Sequence, residues 1–273
     1  MRITRREWLG GVAAAGLVHA NVLGLPVGVQ TYPVRNEIGK DLPGTLAELK
    51  SAGFETIELC SPFSYREFAP LAKPGAAELK RTIEAAGLKC ESCHYGFREL
   101  KESLDERIGF AKELGLRQMV LSSFGLPATA KLADWSRSAE ELNGIAAQIR
   151  KAGMAAGYHN HTNEFHEIEG TLIYDEVVRR FDPKAVGLQF QTGVVAIGYQ
   201  AATYFEKYPG RFLSIHVADW SPAEKQQVTV GTGTIDWKKL FVAAKTGGVK
   251  NYFLEMSLDL MKASVPYLRD LKV

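Results

Sequence analysis

The chain has 273 residues, 46% hydrophobic and 23% charged, which is ordinary for a globular protein with a large core and fits one barrel-sized domain better than two small ones. Its formal net charge is only +2, and Arg2, Arg5, Arg6 and Glu7 at the N-terminus account for that excess, so the remainder is near neutral. Near-neutrality without a basic cluster gives no support for nucleic-acid binding or for docking on an anionic membrane.

The first element reads as a targeting segment over residues 1–20. Thr4-Arg5-Arg6-Glu7-Trp8-Leu9 is a twin-arginine pattern, the small apolar run Gly10 to Val18 follows, and Val18-His19-Ala20 offers a cleavage context. The run is too short to span a bilayer, so no stable membrane anchor is expected. The expectation is a bacterial periplasmic protein, carried by the twin-arginine export machinery, with the mature domain at residues 21–273.

Beyond Asn21 one unit recurs eight times: a short apolar strand, a polar turn, an amphipathic helix and usually a glycine stop. Strands are predicted at Val27 to Tyr32, Glu55 to Cys60, Leu88 to His94 and Arg117 to Ser122, then from Met154 into the histidine run. Three more follow at Ala185 to Gln191, Phe212 to Asp219 and Asn251 to Ser257. The helices between them are predicted from Asp41 to Gly53, Ala76 to Ala86, Arg98 to Leu114 and Ser138 to Lys151. The remainder are expected at Leu172 to Phe181, Ala201 to Lys207, Asp236 to Lys245 and Leu260 to Leu271. Eight alternating pairs predict an α/β fold, a single-domain (β/α)8 TIM barrel. An open doubly wound sheet would want a glycine-rich phosphate turn after the first strand, where this chain has Gln30-Thr31-Tyr32-Pro33.

Cys60, Cys90 and Cys93 are the only cysteines. Cys90-x-x-Cys93 falls inside a predicted strand and has no second pair, which argues against zinc. Buried thiols are expected, with a disulfide from Cys60 to the next strand as the alternative in an oxidising compartment.

The densest chemistry lies in Gly157-Tyr158-His159-Asn160-His161-Thr162-Asn163-Glu164-Phe165. Side chains two apart on a strand share a face, so His159 and His161 point together, and two buried imidazoles need partners for their ring nitrogens. In barrels of this kind the chemistry gathers at the C-terminal strand ends. Those ends carry Gln30, Tyr32, Glu58, His94, His159, His161, Gln189, Gln191, His216 and Glu255.

These motifs resemble the xylose-isomerase-like TIM-barrel superfamily of sugar isomerases and epimerases. The matching runs are Gly28-Val29-Gln30-Thr31-Tyr32, Ile57-Glu58-Leu59, Tyr158-His159-Asn160-His161 with Glu164-Phe165, and Val186-Gly187-Leu188-Gln189 with Thr192-Gly193. Ile215-His216-Val217-Ala218-Asp219, Gly231-x-Gly233-x-Ile235-Asp236-Trp237 and Phe253-Leu254-Glu255 complete the set. The resemblance implies one divalent metal, held in the family by Glu, Asp, His and Glu on strands five to eight. Carried over, the metal set is His159, Gln191, His216 and Glu255. One carboxylate and two imidazoles favour manganese, zinc or iron over magnesium.

The implied reaction is proton abstraction beside the carbonyl of an unphosphorylated sugar or keto-sugar, through an enediolate, with Glu255, His159 and His161 as catalytic candidates. Gln30, Tyr32, Glu58, His94, Gln189 and Trp220 are the expected substrate contacts. A keto-glycoside lyase using the same enediolate is one alternative. The other is a non-catalytic sugar-binding protein whose metal site has decayed, suggested by Gln191 and by Ala218, where many relatives carry lysine. A small carbohydrate is the expected partner, and the sequence neither requires nor excludes an oligomer.

Overall fold

A computed structural model describes residues 21–273, so the twin-arginine segment lies outside the described residues. Eight parallel strands close into a barrel: β1 Gly28–Gln30, β2 Thr56–Cys60, β3 Lys89–Gly96 and β4 Gln118–Ser123. The circuit continues with β5 Ala155–His159, β6 Val186–Gln191, β7 Phe212–Val217 and β8 Asn251–Leu254, which pairs back onto β1. Helices follow the strands and cover the barrel, burying Leu46, Leu79, Ile83, Leu142, Ile149, Val177, Leu240 and Val265 against its outer face. The architecture is a single-domain (β/α)8 TIM barrel. Among the described residues no helix is long and apolar enough to cross a membrane.

Differences from the predicted elements have local causes. The first strand stops at Gln30 because Pro33, which has no N–H, opens the 3-10 turn Tyr32–Val34. The predicted helix from Arg98 to Leu114 breaks at Ser103 into Phe97–Glu102 and Leu104–Leu114. The helix before β5 starts earlier than expected, at Leu132, where Asp134 accepts the Lys131 amide and closes the first turn. Past β7 the chain leaves the barrel and forms a hairpin of Asp219–Ser221 with Gln226–Val228, and a second small hairpin pairs Glu167–Ile168 with Thr171–Leu172. Cys60, Cys90 and Cys93 are free thiols.

A bulge in β7 shapes the barrel floor. Leu188 pairs with Phe212 but Gln189 pairs with Ser214, so Leu213 is the extra residue. Its side chain fills the space left by Gly187, where a Cβ would lie 2.4 Å from Leu213 Cγ. With the floor filled this way, Ser214 and His216 stand level with Gln189 and Gln191 on β6.

Candidate metal and proton-transfer site

Parallel pairing lines up the inward polar residues: Gln30 beside Glu58, Glu58 beside Ser92, His159 beside Gln189, and Gln191 beside His216. Glu58, wholly buried, is the hub. Its Oε1 accepts from Ser92 Oγ at 2.6 Å and Gln189 Nε2 at 2.8 Å. Its Oε2 accepts from Gln30 Nε2 at 2.8 Å and His216 Nε2 at 2.5 Å, with His94 Nε2 at 3.2 Å. Burial alone would raise the Glu58 pKa; the neighbouring imidazoles and hydrogen bonds from His216 and Ser92 outweigh it and lower it to about 2. Of those imidazoles His216 is the lasting partner, since burial pushes His94 itself down toward the neutral form.

His216 bridges two carboxylates. Its other nitrogen, Nδ1, lies 2.9 Å from Glu255 Oε2. Burial works against its charge, yet Glu255 and Glu58 together push its pKa up to about 10. Glu255 is held below the usual carboxylate range, burial being outweighed by His216.

His159 is the opposite case. It is 1% exposed, and neither ring nitrogen makes a hydrogen bond of good geometry, the Gln189 backbone being the one polar group that opposes burial. Burial, reinforced by the imidazoles of His216, His161 and His94, drives its pKa well down, so it stands neutral with an unused lone pair. Its ring centre is 4.3 Å from that of His216 and 5.0 Å from that of His94. A ligand atom from each of His94, His159 and His216 falls within 4.8 Å of the others, so the three could hold a metal ion. An orphaned buried imidazole beside two more is the donor set that suits zinc, manganese or iron.

The remaining expected site residues divide. His161 lies at the rim, ring centre 4.7 Å from that of His159, and its turn is fixed by Glu164, which accepts the His161 amide and the Tyr158 hydroxyl. Desolvation at the rim lowers the His161 pKa despite the nearby charge of Glu255. Tyr32 is 41% exposed, with Arg35 over its ring and Tyr65 edge-on. Trp220 is half-buried on the hairpin after β7.

Three residues stand differently from their sequence assignment. Gln191 does not offer oxygen to the histidines: its Nε2 donates to Glu255 Oε2 at 2.6 Å, and its Oε1 accepts from the Gly193 amide at 3.1 Å. Swapping the amide would set NH2 against the Gly193 N–H and lose the bond to Glu255. His94, expected at the substrate, groups with the candidate metal ligands instead. Glu58, also expected at the substrate, is wholly buried, and both its oxygens are occupied by interior donors.

Sequence reasoning missed Ser92 and Ser214, which bond to Glu58 and Gln189. Each sits two residues before a site histidine, on the same strand face, and that parity was the available signal. It also missed the role of Asp219. That buried carboxylate accepts from the amides of Trp220, Gly231 and Gly233 and from Trp237 Nε1, tying the loop after β7 to the barrel.

No curated protein sequence matches. A sugar phosphate isomerase/epimerase from Parabacteroides distasonis ATCC 8503 superposes with a TM-score of 0.77 at 24% identity, covering 90% of this chain and 94% of that one. The IOLI protein, whose crystal structure has a bound zinc atom, superposes at 0.65 with 16% identity, covering 90% and 95%. A probable 3-DHS dehydratase, AsbF, from Bacillus anthracis superposes at 0.70 with 11% identity, covering 89% and 98%. At these identities the likeness is one of fold. The profile of the xylose isomerase-like TIM barrel matches residues 46–270, and the chain belongs to that family.

Proposed function

We propose that this chain is a metal-assisted sugar isomerase or epimerase that moves a proton on the carbon beside the carbonyl of an unphosphorylated sugar or keto-sugar, exported by the twin-arginine route. The observation that carries the reading is His159, buried with neither ring nitrogen in a well-formed hydrogen bond, beside His216 and His94. Leaving such polar atoms without a ligand costs ~1–3 kcal/mol. His94, His159 and His216 would hold the ion, with Glu255 alongside. When bound, a divalent ion supplies Lewis-acid polarisation of the carbonyl, which lowers the cost of removing the adjacent proton. His161, neutral at the rim, takes or returns that proton, and Glu255 serves as the second acid–base group. Gln191 steadies Glu255 through its amide. The buried cluster of Gln30, Glu58, His94, His159, Gln189, Gln191, His216 and Glu255 contains no lysine or arginine, and the cation nearest the expected substrate contacts, Arg35, lies over the Tyr32 ring, an arrangement that supports a substrate without a phosphate.

A second reading, a non-catalytic sugar-binding protein, is favoured by one observation, the commitment of the Gln191 oxygen to Gly193 rather than to a metal. The two readings separate on one experiment. Metal content and affinity are measured for wild type, His216→Ala and Glu255→Gln, and keto-sugars are then incubated with wild type in deuterium oxide. Metal binding lost in His216→Ala and solvent deuterium entering beside the carbonyl support the enzyme. Loss of a β-substituent from a keto-glycoside would convert the assignment to a lyase. Equal metal content in all three proteins and no deuterium uptake would leave the binding protein.

A further inference from the structure

The acidic residue at the centre of the barrel touches no solvent, yet it is the most heavily hydrogen-bonded side chain of the site. We infer that Glu58 is a positioning residue: it holds a proton of His216 on Nε2, and so leaves Nδ1, aimed at Glu255, as the nitrogen that gives up its proton to ligate. The inference rests on the metal reading proposed above.

An imidazole that ligates through one nitrogen must carry its proton on the other, and a carboxylate acceptor there fixes both tautomer and ring orientation. Glu58 Oε2 sits 2.5 Å from His216 Nε2, while Nδ1 faces Glu255 at 2.9 Å. Glu58 cannot turn away, because Gln30 donates to the same oxygen and Ser92 and Gln189 to the other. Gln189 is itself pinned: its Nε2 also reaches Ser214 Oγ at 2.8 Å, and its Oε1 lies 2.6 Å from His94 Nε2. One carboxylate therefore sets the orientation of His216 directly and that of His94 through an amide.

The test uses full-length mature protein with its histidines labelled with 15N, titrated with Zn2+. In loaded wild type, His216 should show one N–H, at Nε2, shifted far downfield by its charged acceptor. Glu58→Gln should move that resonance upfield and weaken Zn2+ binding ~10- to 100-fold. Ser92→Ala removes a bond to the other Glu58 oxygen but leaves the contact of Oε2 with His216, so it should weaken Zn2+ binding less than Glu58→Gln does. A loaded wild type protonated at His216 Nδ1, or at neither nitrogen, overturns the inference even if Glu58→Gln fails to fold. So does a folded Glu58→Gln that binds Zn2+ like wild type. Wild type that binds no Zn2+ and shows no change in any histidine defeats the metal reading itself, a result distinct from the other two.

Discussion

Replacing Asp219 by Asn isolates one buried charge without changing shape. In the wild type, Oδ2 accepts from Gly231 N at 3.0 Å, Gly233 N at 3.2 Å and Trp237 Nε1 at 2.7 Å, and Oδ1 accepts from Trp220 N at 2.8 Å and Ile235 N at 3.4 Å. An asparagine keeps one oxygen. Its best orientation leaves that oxygen with the three donors and turns NH2 toward the amides of Trp220 and Ile235, donor against donor. Each buried unsatisfied donor costs ~1–3 kcal/mol, so the substitution should destabilise by about 2–6 kcal/mol. For a chain of this size that is a fall in Tm of at least about 4 °C. Thermal unfolding followed by far-UV circular dichroism measures it, and tryptophan fluorescence reports the loosened surroundings of Trp220 and Trp237. A Tm within about 1 °C of wild type would refute the claim that this carboxylate ties down the loop, since even one orphaned donor should exceed that.

Stability of the metal-free protein should depend on pH from two sides. Glu58, lowered from 4.5 to about 2, contributes stability that is present above pH 4.5 and lost as pH falls through 2. His216, raised from 6.5 to about 10, contributes stability that is present below pH 6.5 and lost as pH rises through 10. Denaturant melts across pH should therefore peak between 4.5 and 6.5 for this pair, and His216→Gln should flatten the alkaline limb. Zn2+ binding at pH 8 should release about one proton, because His216 must give up its Nδ1 proton to ligate, and calorimetry in buffers of different ionisation enthalpy counts it. Gly187→Ala should cost ~1–3 kcal/mol through the 2.4 Å approach to Leu213, with partial rescue by Leu213→Ala in denaturant melts. Arg5→Lys combined with Arg6→Lys should strand the protein in the cytoplasm, read by fractionation, since the export receptor recognises the pair.

The barrel was legible because its signals are local. Hydrophobic runs of five or six residues, helix stripes and glycine stops recur in order, and eight such units admit few closures. Strand parity was enough to group Gln30, Glu58, His94, His159, Gln189, His216 and Glu255 at one end of the barrel. What parity could not supply was depth along the barrel and the direction of each polar atom. Whether Glu58 meets substrate or bonds to His216 in the interior depends on the stagger of β2 against β7, two strands far apart in the chain, and on the extra residue Leu213 that lifts Ser214 and His216 into level with β6. The orientation of Gln191 is decided by Gly193, whose amide turns the side-chain oxygen away from the histidines. The sequence by itself therefore determined the family and the barrel, since strand runs, helix stripes and motifs are each local, and it grouped most of the inward polar residues by strand parity. Only the tertiary structure decided which imidazole is left without a well-formed hydrogen bond and which carboxylate is bonded on both oxygens in the interior, because those outcomes rest on hydrogen bonds between strands as many as 158 residues apart.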